Sequence, residues 1–193
     1  MATSFAKKSG AASGAITEFL GSAAVFASAV SDVVEEELLR EVGGARLRFA
    51  HFKLLKLVAA TGTHHLGDVA AFLGVSNAAA SKTVDKLVRR KLLRRKEEEA
   101  DRRAIELSLT DAGRRLLEAY EATRQRRLAA VFAHLAPAEL AQTAAVLDRV
   151  SRELVAPAAD GGQLCHRCGI YFREQCPLRA QGWACFYAPG RER

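Results

Sequence analysis

The first 163 residues of this chain contain no cysteine, and all 193 residues together contain only four. Because those four lie between positions 165 and 185, the rest of the chain gives no support to the disulfide framework of a secreted domain. The sequence also lacks a glycine-rich phosphate loop, a dinucleotide-binding motif and a paired general acid and base. These absences argue against an enzyme and favour a binding function.

A clear membrane-spanning run is missing as well. The best candidate, residues 15–30, is interrupted by Glu18 and falls short of the ~20 apolar residues that cross a bilayer. It continues at helical spacing into the charged stretch 31–43. We therefore expect a small-residue-rich amphipathic helix over residues 15–42, in a cytoplasmic protein without a membrane partner.

Acidic residues are fewer than basic ones. The chain has 22 Asp and Glu against 29 Lys and Arg, which gives a net charge of +7. A basic chain favours a polyanionic partner such as nucleic acid if its charges cluster on one surface, and is otherwise only a soluble basic protein. The hydrophobic fraction of 49% is sufficient for a core.

Glycine and proline divide the chain into predicted elements. Residues 1–14 are mostly Ser, Gly and Ala without an apolar period, which predicts a disordered lead-in. Helical periods follow, with helix ends predicted at Gly43, Gly62 and Gly74. The short helix before the last of these glycines is predicted to bury Leu66, Val69, Ala70 and Leu73. His64 and His65, just before it, are predicted to be exposed loop residues.

The helix that begins after the N-cap Ser76 has two contrasting faces. One face is apolar and comprises Ala80, Val84, Leu87 and Val88. The opposite face is small at its N-terminal end and mostly basic, and comprises Ala78, Lys82, Asp85, Lys86 and Arg89. Two helices joined by a tight glycine turn, with small and basic residues facing outward, are typical of a helix-turn-helix that binds a DNA major groove.

A hairpin is predicted next. Residues 92–96 form one strand and residues 104–109 alternate as the other, around the charged tip EEEADRR. Beside a recognition helix such a hairpin is a wing, and Arg102 and Arg103 at its tip are expected to enter a minor groove. The alternative is a solvated turn, since the glutamates at 97–99 repel phosphate.

Two long helices complete the main part of the chain. One is capped by Thr110 or Asp111, and the next has Pro137 in its first turn. Their apolar stripes predict a helical dimer interface: Leu116, Leu117, Tyr120, Leu128, Val131, Phe132, Leu140, Ala144, Val146, Leu147, Val150 and Leu154. Residues 156–163 then read as a linker to a cysteine-rich module, 164–193.

Residues 15–155 resemble the MarR family of winged-helix transcriptional regulators. The motifs that carry the resemblance are G-V-S at 74–76, V-D-x-L at 84–87 and the D-R-R…L-S-L-T-x-A-G block at 101–113. The resemblance implies a mainly α fold with a small β-wing, a winged helix-turn-helix flanked by N- and C-terminal dimerisation helices. It further implies a homodimer that binds a palindromic double-stranded DNA operator as a repressor.

The resemblance also implies roles for particular residues. The recognition positions would be Ser76, Asn77, Ala78, Ser81 and Lys82. The wing arginine would be Arg103, oriented by Asp101, while Lys82, Lys86 and Arg89 hold phosphates. In the alternative interpretation, Asn77 and Ser81 only cap and solvate the helix.

The chain departs from the family pattern at two places. Lys91 stands where R-G-L usually has glycine, and alanines at 78–80 leave few hydrogen-bonding side chains for base readout. A small-molecule ligand near Phe49, His51 and Phe52 is left open.

The four cysteines, Cys165, Cys168, Cys176 and Cys185, give the pattern C-x2-C-x7-C-x8-C. Disulfides are disfavoured in a reducing cytoplasm. Four thiolates suit either a structural Zn²⁺ or a 4Fe-4S cluster. The absence of a second C-x-x-C pair and the abundance of nearby aromatics favour iron–sulfur over zinc.

The main hypothesis is therefore a regulator whose operator binding responds to this metal module. One alternative is a regulator with a purely structural zinc tail that senses a small ligand. Another is a redox or electron-transfer protein. The operator, the target genes and the signal are not contained in the sequence.

Overall fold

A computed structural model of the chain describes residues 2–60, 64–97, 104–155, 171, 173 and 175–179. The described helices are α1 (Ala2–Ala29), α2 (Leu38–Gly43), α3 (Phe49–Ala60), α4 (Leu66–Leu73), α5 (Asn77–Arg89), α6 (Asp111–Phe132) and α7 (Pro137–Val155). The strands are β1 (His64–His65), β2 (Leu93–Glu97) and β3 (Ala104–Leu109). The protein is thus mainly α with a small β-wing, as the sequence predicts.

The N-terminal helical run is longer than predicted. It begins at Ala2 and reaches Gly43, because the π-helical segment Val30–Glu37 joins α1 to α2 without a break. The structure has helix from Ala2 onward, whereas the sequence predicts a disordered lead-in over residues 1–14. Alanine has the highest helix propensity, and elongation of an existing helix needs no new nucleus.

The stretch Ser13–Gly43 is long and apolar enough to cross a membrane by length and composition, since 18 consecutive residues within it have a mean hydropathy of 1.3. Within the described residues, α6 and α7 pass the same test only when taken together, across a bend of 103°. Core helices and signal sequences also meet such a criterion. Six charged residues between 32 and 41 distinguish the C-terminal third of the run from its apolar first part.

The core is formed by buried residues of α2 to α6 and the hairpin, with α3 packed against α4, α6 and β3. Phe52 of α3 is fully buried, and its ring lies 4.2 Å from the ring of Tyr120 on α6. The hydroxyl of Tyr120 donates a 2.7 Å hydrogen bond to the carbonyl of Val34 in the π-helical segment. This bond satisfies a buried polar atom and ties the first helical run to α6.

In α4 the predicted inward residues Val69 and Ala70 are buried, but Phe72 is also fully buried while Leu73 is only half-buried. The helical stripe is therefore rotated by part of a turn relative to the prediction. The reason is that the larger aromatic ring fills the space beneath the helix.

The sheet has three strands in the order β1-β3-β2, all antiparallel. In the predicted hairpin, Leu93 pairs with Leu109 and Arg95 with Leu107. His64 and His65, predicted as loop residues, instead pair with Ile105 and Ala104 through their backbones. Two residues are enough to cover the free edge of β3. A strand this short is not detected by hydrophobic periodicity, which needs a longer segment.

The predicted caps of the last two helices are confirmed. The hydroxyl of Thr110 accepts a 3.0 Å hydrogen bond from the Gly113 amide, and Pro137 opens α7. The predicted dimer stripe is partly wrong, since Leu117 and Tyr120 are buried in the core of the protomer. The remainder of that stripe is half-buried or exposed in the single chain: Leu116, Leu128, Val131, Phe132, Leu140, Ala144, Val146, Leu147, Val150 and Leu154.

Candidate nucleic-acid interface

A tight turn sets the start of α5. Gly74 adopts a φ of +66°, in the left-handed region that favours glycine, and the Val75 amide donates to the Ala70 carbonyl at 3.0 Å. Ser76 then has an extended backbone, and its Oγ accepts from the Ala79 amide at 3.3 Å. The hydroxyl of Ser76 therefore acts as the helix cap, and its position at the exposed helix start is the one predicted for DNA contact.

The two predicted faces of α5 are present. Ala80, Val84 and Leu87 are fully buried. Of the predicted contact residues, Asn77, Ala78, Lys82 and Arg89 are exposed, whereas Ser81 and Lys86 are half-buried. The exposed face carries small residues at its N-terminal end and positive charge further along, which suits close approach to a groove and its phosphates.

An ion pair joins α5 to the wing. Arg95 on β2 places its guanidinium 3.4 Å from the carboxylate of Asp85, which lies on the outward side of α5. Asp85 therefore connects the wing to α5. The helical period predicts the outward position of Asp85, but Arg95 shares a strand face with the buried Leu93, so the alternation of β2 does not indicate this pair.

The C-terminal end of α5 is attached to the first helical run. Arg90 donates a 3.0 Å hydrogen bond from its guanidinium to the carbonyl of Gly43, the last residue of α2. A cation at the carboxyl end of a helix is stabilised by the helix dipole. Sequence reasoning missed Arg90 because an arginine in a basic run carries no local sign of a partner 47 residues away.

Lys91, one of the two departures from the family pattern, has an unusual backbone conformation. Its φ is +58°, so this position has the left-handed backbone that glycine adopts without strain. The turn is held by its neighbours, since the Thr110 hydroxyl donates to the Lys91 carbonyl at 2.6 Å. Lysine at this position costs about 1 kcal/mol relative to glycine.

His51 is buried beside α5. Its Nδ1 accepts a hydrogen bond from the Arg48 amide at 2.9 Å, which requires that nitrogen to be unprotonated. Burial lowers the pKa of His51, and the positive charges of Lys86 and Arg90 lower it further. The ring is therefore neutral at physiological pH and packs next to the recognition helix without adding charge.

The region suggested for a small ligand is part of the core. Phe49, His51 and Phe52 are each at most 7% exposed, and the two phenyl rings stack 5.9 Å apart. Any ligand here would have to displace packed side chains.

Several predicted site residues lie outside the described residues. These are the wing-tip residues Asp101, Arg102 and Arg103, and the cysteines Cys165, Cys168 and Cys185. Cys176 is described and is a half-buried free thiol. Among the described residues no group of three or more His, Cys, Asp or Glu side chains is arranged to hold a metal.

The comparisons with known proteins agree with this geometry. The model of the MarR family matches residues 47–104, from the end of the α2–α3 connection to the start of β3. No curated protein matches the sequence.

Solved structures share the fold. FabT of Streptococcus pneumoniae, in complex with DNA, has a TM-score of 0.57 at 21% identity, over 72% of this chain and 94% of that one. A MarR family protein from Bacillus stearothermophilus has a TM-score of 0.60 at 19% identity, over 73% and 96%. BpsR of Bordetella bronchiseptica, whose DNA binding is regulated by 6-hydroxynicotinic acid, has a TM-score of 0.50 at 25% identity, over 68% and 98%. The chain therefore has the MarR-type winged-helix fold.

Proposed function

We propose that this protein is a MarR-type transcriptional regulator that binds a double-stranded DNA operator as a homodimer and represses transcription in the cytoplasm. The observation that carries the proposal is the outward face of α5, where Asn77, Ala78, Lys82 and Arg89 are exposed opposite a fully buried apolar face. The Asp85–Arg95 pair holds the wing beside this face. Its function is thus binding, not catalysis.

The homodimer is supported by apolar side chains that one chain leaves uncovered. In α1, Val25 is 72% and Phe26 54% exposed, and in α7 Leu154 is 66% exposed. A soluble monomer rarely exposes such stripes along whole helices. The first helical run also continues into the core through Leu38 and Leu39.

Salt dependence of binding tests the DNA function. The probe is a random-sequence 30-base-pair duplex, and binding is followed by fluorescence anisotropy at several salt concentrations. Each phosphate contact contributes a slope of about 0.9 in log K against log salt. Because each substitution is present twice in the homodimer, Lys82→Ala and Arg89→Ala are each expected to reduce the slope by about two such units.

The matched control is Arg126→Ala, which removes the same charge from an exposed position on the distal half of α6. Its slope should equal that of the wild type. If Lys82→Ala and Arg89→Ala also have the wild-type slope, α5 is ruled out as the phosphate-binding surface.

We further propose that Cys165, Cys168, Cys176 and Cys185 hold a 4Fe-4S cluster, with Zn²⁺ as the alternative, and that this module modulates operator binding. Support comes from the C-x2-C spacing and from Cys176, whose thiol is half-buried beside α7. A cluster of this type would supply a redox-sensitive group to the tail.

Metal and sulfide analysis of anaerobically purified protein distinguishes the two metals. About four irons per chain with absorbance near ~400 nm indicate the cluster, and about one zinc indicates a structural site. Cys168→Ser should change operator affinity in only one redox state. If Cys168→Ser has the same operator affinity as the wild type in both redox states, the sensing proposal is wrong.

Ligand sensing with a structural zinc tail is a second candidate, because DNA binding by the structural relative BpsR is regulated by a small aromatic acid. The packed state of Phe49, His51 and Phe52 means that a ligand here would act by rearranging the core beside α5. Titration calorimetry with 6-hydroxynicotinic acid tests this candidate directly.

A further inference from the structure

The described part of the tail contacts the helices of its own protomer. Tyr171 lies with its ring against Arg124 of α6, at 5.9 Å from guanidinium carbon to ring centre. Its hydroxyl is fully buried and has no hydrogen-bond partner. Burial, together with the charges of Glu35 and Glu121, raises the pKa of Tyr171 to about 12. A phenol from the tail is therefore inserted beside α6 and the π-helical segment.

A second contact lies two residues further on. The two terminal guanidinium nitrogens of Arg173 each donate a hydrogen bond to a different carboxylate oxygen of Asp148 on α7, at 2.7 and 3.0 Å. This bidentate geometry is the strongest form of an arginine–carboxylate pair. The tail thus has one anchor on α6 and another on α7, the two helices that meet at a bend of 103°.

The site that receives Tyr171 borders the core of the winged helix. Glu121, next to it, forms a 2.5 Å ion pair with Lys56 of α3. Tyr120, whose pKa is raised by burial and by the nearby Tyr171, packs against Phe52. Whatever occupies the site therefore contacts side chains that hold α3 and α6 together.

We propose that the protein has an intramolecular docking site for its own tail, in which Tyr171 is a tethered aromatic ligand between α6 and the π-helical segment, secured by the Arg173–Asp148 pair. The site takes a flat phenol-sized ring against the Arg124 guanidinium. Its occupancy fixes the tail on α6 and α7. If α6 and α7 set the spacing of the two DNA-binding surfaces in the dimer, docking of the tail also changes operator affinity. This last step rests on the proposed function.

Hydrogen exchange measured by mass spectrometry on peptides covering residues 171–179 tests docking without DNA. Tyr171→Ala should accelerate exchange there by about tenfold, and Arg173→Gln by about threefold. Tyr171→Phe is the matched control, and its exchange should stay at the wild-type rate because the hydroxyl has no partner to lose. Wild-type exchange rates in both Tyr171→Ala and Arg173→Gln would overturn the proposal.

Addition of p-cresol, the side chain of tyrosine as a free molecule, tests the site itself. In Tyr171→Ala the site is vacated, so millimolar p-cresol should raise Tm, as any ligand specific for the folded state does. Wild type and Tyr171→Phe, with the site filled, should show no rise. An equal rise in all three proteins would show that no such site exists.

The two readouts remain informative if the DNA proposal fails, because neither includes nucleic acid. Anisotropy with the same duplex then shows separately whether undocking changes affinity. A tail that undocks without effect on DNA binding would leave the docking site intact and remove only its link to regulation.

Discussion

The segment from α3 to the middle of α6 and the two terminal helices α1 and α7 contain similar proportions of apolar residues but bury them very differently. In α3, seven of twelve residues are buried. In α7, within the described part of the chain, none is buried. The difference shows that apolar content alone does not report whether a helix is covered by its own chain. It leaves α1 and α7 as the helices whose apolar side chains the proposed homodimer would cover.

The largest expected effect tests the buried side of this comparison. Phe52→Ala removes a fully buried ring that packs on Tyr120, and it should lower the free energy of unfolding by about 3–5 kcal/mol. Urea denaturation measures the loss. Phe26→Ala in α1 is the matched variant, since its ring is 54% exposed.

For Phe26→Ala we expect a weaker dimer in analytical ultracentrifugation and little change in the unfolding of the dissociated chain. If instead it destabilised the chain as much as Phe52→Ala at every protein concentration, the contrast between the two regions would be wrong.

Glycine substitutions give a second, smaller contrast. A Cβ at Gly113 would collide with the Leu92 carbonyl oxygen, so Gly113→Ala should cost about 2–3 kcal/mol. A Cβ at Gly21 in α1 meets nothing within 4 Å in one chain, and Gly21→Ala should stabilise that helix by up to about 1 kcal/mol. Thermal and urea unfolding measure both.

The Gly21→Ala variant also tests the dimer, because its effect on dimer affinity depends on how closely the partner's helix approaches α1. A loss of dimer affinity in Gly21→Ala would indicate that the partner's helix approaches α1 closely at this position.

A pH effect of intermediate size is expected from His51, the buried histidine beside the recognition helix. Because its folded pKa lies below the ordinary 6.5, the unfolded chain takes up a proton that the folded chain resists. Stability is therefore complete above pH 6.5 and is lost as pH falls toward the folded pKa, by at most about 1.4 kcal/mol per pH unit.

His51→Asn can keep an acceptor for the Arg48 amide but does not titrate. The difference between wild type and variant isolates His51. Glu35 is present in both proteins, so its contribution cancels in this difference. Its raised pKa gives the opposite pH dependence, in which stability is lost as pH rises from 4.5. A difference that does not vary between pH 5 and 7 would contradict the assignment.

The smallest expected effect is a gain within the well-packed region. Lys91→Gly relieves the strain of a φ of +58° and should raise stability by about 1 kcal/mol. Lys91→Ala retains the strained backbone and removes only the charge, so it should bring no gain. Equal gains in both variants would assign the effect to charge and not to the backbone.

Much of the fold was predictable because local signals and core packing agree. The cap at Ser76, the left-handed turn at Gly74 and the alternation in β3 each depend on a few neighbouring residues. The exposed face of α5 followed from helical period alone. The helical start at Ala2 was missed because a Ser, Gly and Ala composition contains no apolar period to detect.

Contacts between distant segments were not predictable in this way. The Arg90 bond to Gly43, the Asp85–Arg95 pair and the insertion of Tyr171 beside Arg124 join residues whose own neighbourhoods give no sign of a partner. Tyr120 illustrates the same limit, since its place on an apolar stripe predicted a dimer contact, while the structure uses it in the core.

The sequence by itself determined the helices, the wing and the face of α5 that meets solvent, because period, caps and glycine turns act over a few residues. Only the tertiary structure decided which apolar stripes become core, how α5 is held at both ends and where the tail is anchored. Those outcomes depend on shape and charge brought together from far along the chain, and no local pattern encodes them.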